Sequence, residues 1–193
     1  MGDGDDVPVD PGWRDAWVGV LWVPTMFLFR WRVRNSKLPA LLLSRRIFVM
    51  FATSVILFGS VLRALGDSER PWTSKSAVVA GLIIAAFGLV GLFAMRKFVD
   101  PPMRCSDLAS LAAAYRSRFF LRIAFANAPA SMAFAYSFVT RRWWVYLFGL
   151  IPAAVGYVHA APTRLAIERE WRDLDASGCD VSLLAALMAP RQS

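Results

Sequence analysis

The chain has 193 residues, of which 57% are hydrophobic and only 19% charged, and its net charge is +8. Soluble domains run nearer a quarter charged. With a mean hydropathy of +0.46, the composition excludes an ordinary soluble domain and fits one compact membrane domain with short parts outside it. Only Lys37, Lys75 and Lys97 of the 22 basic residues are lysine. The arginines lie beside apolar runs, where a membrane surface is the nearest anion. The charge is therefore read as directed to anionic lipid, not to nucleic acid.

Residues 1–12 are rich in Gly, Asp and Pro and predict no regular structure. Met1 to Asp10 is acidic where a cleavable signal peptide would be basic, so no such signal is read there. Residues 13–34 mix Trp13, Trp17, Trp22 and Trp31 with aliphatic side chains. Their uncharged stretch, Ala16 to Phe29, has 14 residues and contains Pro24, which is short for a span. Arg30, Arg32, Arg34 and Lys37 follow at once. The segment predicts an in-plane or re-entrant element whose arginines meet anionic headgroups at the membrane surface. The alternative is a thin, kinked fifth span that would put the N-terminus outside.

The run Ala77 to Met95 carries no charge and no strongly polar side chain. As a helix it would extend roughly 28 Å, close to the thickness of a bilayer's hydrocarbon core. Similar runs predict an all-α integral membrane protein with four spans, at about 46–65, 77–95, 119–139 and 143–161, arranged as two antiparallel hairpins. Residues 1–45 and 162–193 then form an N-terminal segment and a helical tail around a membrane domain, 46–161. The segment before the first span carries seven Lys and Arg, the stretch 96–122 six and the tail four; the other two connections carry three and two. By the positive-inside rule both termini are expected in the cytoplasm, for a multi-pass protein of a bacterial inner (plasma) membrane. The turn at 140–142 is too short for anything but antiparallel neighbours, and Trp143, Trp144 and Tyr146 are read as an interface anchor. In the tail, Leu165, Ile167, Trp171 and Leu174 predict one face of a helix over 163–175. Gly178 breaks it, and Asp180 is read as the cap of a last helix, Val181 to Met188.

Small residues fall in stripes: Ala77, Gly81, Ala85 and Gly88 in the second span, and Gly149, Ala153 and Gly156 in the fourth. The third offers two faces, Ala124, Ala128, Ser131 and Ala135 or Ala126, Ala130, Ala133 and Ser137. Such faces let membrane helices approach closely. The bulkier first span is predicted outermost and the third central. The third also carries Arg122, Asn127, Ser131, Tyr136 and Ser137, with Pro129 freeing a carbonyl near residue 125. Arg122 and His159 are expected at similar depth in antiparallel helices. A pocket of Arg122, Asn127 and His159 would suit an anionic headgroup or a carboxylate. The plainer reading is that Arg122 snorkels, Asn127 bonds helix to helix and His159 sits at the water boundary.

The stretch Ile123-Ala124-Phe125-Ala126-Asn127-Ala128-Pro129-Ala130 resembles the carboxylate-bearing helix of the proteolipid c subunits of rotary ATP synthases, over one helix or at most one hairpin. The position that would hold the carboxylate is Asn127, which cannot bind and release a proton. No other acid lies inside a predicted span, and Asp100-Pro101-Pro102 reads as a turn. Ring-type proton translocation is therefore not expected. Cys105 and Cys179 form no CxxC or Cys/His pattern, so they make no case for a metal site or a disulfide framework. His159 is the single histidine, and no nucleophile–base pair, phosphate loop or paired intramembrane carboxylate is present, so neither catalysis nor a cofactor is expected. The expected function is a non-catalytic accessory or stabilising subunit of a larger membrane complex, such as a lipid transporter or respiratory complex, with other integral membrane subunits and anionic lipids as partners. The alternatives are a small homo-oligomeric transporter or channel, or a lipid-binding membrane protein.

Overall fold

The computed structural model describes residues 12–21, 39–66, 75–100, 103, 107–179 and 181–189. Among them no strand occurs. The helices are α1 (Arg14–Leu21), α2 (Ala40–Leu65), α3 (Lys75–Ala94, prolonged by a π-helical turn Met95–Val99), α4 (Leu108–Thr140), α5 (Tyr146–Ala160, entered through a 3₁₀ turn Trp143–Val145), α6 (Arg164–Asp175) and α7 (Leu183–Met188).

Three helical stretches are long and apolar enough to cross a membrane: Ala40–Leu65, Lys75–Val99 and Trp143–Ala160. The third predicted span, 119–139, falls within α4. That helix has 33 residues with Pro129 inside it; Arg122 and Asn127 leave it less apolar than the other three. The in-plane segment expected at 13–34 is seen only as α1, because residues 22–38 lie outside the described residues.

The chain divides into two compact units. The first takes Met1–Val49, Pro102–Ser117 and Ala161–Ser193. Its core is aliphatic, with Leu41, Leu111, Leu174, Leu183 and Leu187 essentially inaccessible. Arg45, which the sequence places in a basic flank, is 1% exposed. Its Nε donates to the carbonyl of Pro162 at 3.2 Å, and its Nη1 donates to that of Gly12 at 2.8 Å. The guanidinium lies 5.3 Å from the centre of the Trp13 ring, which itself meets Phe48 edge-on. One side chain therefore ties the N-terminal segment, α2 and the 161–163 connection together.

Three expectations are corrected in this unit. Ile167 and Leu174 of α6 are buried, whereas Leu165 is 71% exposed and Trp171 is also exposed. Two residues apart on a helix is roughly 200° of rotation, so Leu165 cannot share a face with Ile167. The last helix is capped by Ser182, whose hydroxyl accepts from the Ala185 amide at 3.4 Å, and not by Asp180. Cys179 is buried and disulfide-bonded; the only other cysteine, Cys105, lies outside the described residues. A disulfide needs only two Cβ atoms brought close in space, which sequence spacing does not encode. The break at Gly178 is seen: it adopts φ +84°, and the Gly178 and Cys179 amides bond back to Asp175 and Leu174.

The second unit takes Met50–Pro101 and Arg118–Ala160. Its packing rests on absent side chains. Gly88 of α3 lies against the rings of Pro152 and Pro129, Gly81 against the Phe148 ring, and Gly156 against Ala126. Gly149 lies directly against the carbonyl of Pro129 and the methyl of Ala133. Of the two small faces of α4, it is Ala126, Ala130, Ala133 and Ser137 that is fully buried, while Ala124 and Ala135 are exposed. Residues 125–134 of α4 touch all three other helices of the unit, with Phe134 stacked on Phe58 of α2 at 4.4 Å. The first span is not uniquely outermost. Over their most apolar 18 residues Ala40–Leu65 and Lys75–Val99 are equally open, each 22% buried, against 44% for Trp143–Ala160. The side chains of α3 on the face away from Gly81 and Gly88 are as large as those of α2.

Candidate functional site

The polar centre of the second unit forms where α3 ends. The π-helical turn closes with the Asp100 amide donating to the Met95 carbonyl, five residues back, at 3.2 Å. Such widened turns recur at functional sites because they displace a residue from the regular helical position. Here the residue is Asp100. Arg122, on α4, donates through Nε to Asp100 Oδ1 at 2.8 Å. His159, the next-to-last residue of α5, places Nε2 2.9 Å from Asp100 Oδ2. It donates either as the Nε2–H tautomer or as imidazolium. The side chains of Arg122, Asp100 and His159 are 11%, 19% and 33% exposed, so the cluster is mostly shielded, with the histidine nearest the surface.

The Asp100 carboxyl is held below its ordinary value. Burial alone pushes it up, because a charge loses its hydration. The hydrogen bonds from His159 and Arg122, together with the Arg122 charge, outweigh that and favour the carboxylate. Each oxygen has its own donor from a different helix. The carboxylate therefore ties the ends of α3 and α5 to the middle of α4.

A second polar group lies deeper. The Tyr157 hydroxyl donates to Asn127 Oδ1 at 3.0 Å, and Asn127 Nδ2 donates to Ser131 Oγ at 3.0 Å. Asn127 is thus engaged helix to helix, as in the plainer of its two readings. The pocket read from sequence is changed in two ways. Arg122 and His159 are brought together, but Asn127 bonds elsewhere. The carboxylate envisaged as a ligand is supplied by the chain's own Asp100.

Of the packing residues, Gly81, Gly88, Gly149 and Ala153 are buried, while Ala85 is half-buried beside Ile84, which takes the inward position. Arg30, Arg32 and Arg34 lie outside the described residues. Asp100 and Tyr157 are the members that sequence reasoning missed. Asp100 is an acid at the same end of its helix as Arg122 and His159 in the antiparallel neighbours, and depth alone was the available signal. Asp100 and His159 are potential metal ligands, but among the described residues no third His, Cys, Asp or Glu joins them. No family model, curated protein or solved structure matches this chain.

Proposed function

We propose that the chain is a non-catalytic accessory or stabilising subunit of a larger membrane assembly, crossing the bilayer four times with both termini in the cytoplasm. One observation carries this reading: the polar groups at the centre of the second unit bond to one another. Asp100 engages Arg122 and His159, and Asn127 engages Tyr157 and Ser131. A transporter of this size would direct those groups towards a solvated path, and a catalyst would set a nucleophile beside a base. What the unit presents outward is apolar: Val79, Leu82, Ile83, Leu89, Val90 and Phe93 of α3 are all more than half exposed. Outward faces of this kind contact lipid or another membrane helix.

The test is purification in mild detergent through a C-terminal tag, with mass spectrometry of what accompanies the chain. The expected result is a reproducible set of larger polytopic proteins at fixed stoichiometry. Recovery as a homo-oligomer without such companions would overturn the reading in favour of a small transporter, for which Asn127→Leu should abolish flux in liposomes.

A further inference from the structure

The opposite end of the second unit, where α2 and α4 finish, takes no part in that reading. Leu62, Leu65 and Gly66 line a shallow surface recess with Ser137, Phe138, Arg141 and Trp143. Its walls are mostly apolar, and it is too tight to trap a water molecule. Yet Ser137 is fully buried, lines the recess, and its hydroxyl has no hydrogen-bond partner among the described residues. A buried hydroxyl without a partner is costly, so an acceptor brought to it would be bound favourably.

The rim supplies a charge to match. Arg141 lines the recess and sits at φ +50°, in the left-handed region that a non-glycine residue seldom adopts. The Arg63 guanidinium lies 4.9 Å above the Trp143 ring, which fixes a second cation at the same rim. Arg142 has a buried Nη1 with no hydrogen-bond partner among the described residues. Residues 60–66 and 136–146 contain these three arginines and no acid; Asp67 and Glu69, which follow, lie outside the described residues. One candidate span ends here at Leu65 and another begins at Trp143, so the cations sit at headgroup depth beside an aromatic belt.

An apolar slot, a waiting hydroxyl and a fork of arginines match one chemistry, a phosphate diester joined to acyl chains. We propose that this end of the unit binds one anionic phospholipid. Arg141 and Arg63 hold the phosphate, for which the planar guanidinium is the fitting donor. Ser137 donates to an ester or phosphate oxygen, and the first methylenes of an acyl chain lie on Leu62, Leu65 and Phe138. Leu65 and Phe138 are about half exposed, so their side chains can swing aside to admit it.

The test uses the full chain in nanodiscs of phosphatidylcholine containing a minor share of phosphatidylglycerol, followed by detergent exchange and mass spectrometry of the lipid retained. The wild type should retain phosphatidylglycerol over phosphatidylcholine by about fivefold or more, since an arginine near a surface is worth about that factor for an anionic lipid. Arg141→Gln with Arg63→Gln should remove the preference, Ser137→Ala should reduce it several-fold, and exposed Arg164→Gln should leave it intact. The proposal is overturned if the wild type shows no preference. It is also overturned if the preference survives Arg141→Gln with Arg63→Gln, or is lost only on neutralising Arg30, Arg32 and Arg34. Should the arginine variants fail to fold, wild type retention at 0.5 M salt decides: an electrostatic site loses its preference, and an unchanged preference refutes it.

Discussion

Asp100 is one carboxylate accepting from two side chains, Arg122 and His159, and that sharing makes it the residue on which the second unit is most sensitive. Asp100→Asn keeps the shape and one hydrogen-bond acceptor but removes the charge that Arg122 and His159 share. The expected loss is about 1–3 kcal/mol, read as a lower midpoint of thermal unfolding in detergent. The effect carries a pH signature with a definite sign. The carboxyl pKa is lower in the folded protein than its ordinary 3.8, so folding favours the ionised form. Its contribution is complete above that value and fades as pH falls through 3.8 towards the lower folded value. Stability measured from pH 7 down to pH 3 should therefore drop at the acid end in the wild type, and Asp100→Asn should lack that component. Equal acid sensitivity in both would refute this assignment. Arg122 and His159 were legible in the sequence, because a charge and the only histidine stand out against apolar helices. Asp100 was not, because the dipeptide of prolines after it reads as a turn. Only the widened helical turn before it brings its carboxyl beside groups more than twenty residues away.

At the scale of the element, the packing of α4 against α5 depends on where a side chain is missing. A β-carbon at position 149 would fall on the Pro129 carbonyl, a backbone atom that cannot swing aside, and on the Ala133 methyl. Gly149→Ala forces the two helices apart and should cost about 1–3 kcal/mol, the usual range for an overpacked core. Gly59→Ala makes the contrast. Its β-carbon would lie 3.3 Å from the edge of the Tyr146 ring, a side-chain contact that asks for only a few tenths of an ångström. Thermal unfolding should separate the two variants clearly, and equal midpoints would refute the argument. The stripes themselves could be read from sequence, since Gly81, Gly88, Gly149 and Gly156 recur at helical spacing. Which of α4's two small faces turns inward could not. Both have the same period and nearly the same composition, and the choice is made by Gly149, which admits only the face carrying Pro129 and Ala133. The burial of Arg45 was hidden for a related reason. An arginine before an apolar run reads as a membrane flank unless the carbonyls of Gly12 and Pro162 are known to converge on it.

For the whole molecule, two rules of physical chemistry bear on the same termini and point to opposite sides. The arginine count places the residues around 96–122 and the tail in the cytoplasm. Cys179, in that tail, is disulfide-bonded, and disulfides persist on the oxidising side of a membrane, whereas cytoplasmic thiols are kept reduced. The charge count draws on many residues and acts during insertion. The thiol state draws on one pair and follows from the compartment afterwards, so the charges should decide the topology. If α4 crosses the bilayer, a reporter after Asp107 and one after Arg141 must lie on opposite sides. Alkaline phosphatase is expected to be active only at Arg141, and a green fluorescent reporter to fold only at Asp107 and Ser193. Alkylation of intact cells quenched in acid should then find Cys179 as a reactive free thiol that oxidises only after lysis. Reporters after Asp107 and Arg141 on one side would show that α4 does not cross. Phosphatase activity at Ser193 with Cys179 already blocked would invert the orientation and make the disulfide part of the cellular fold.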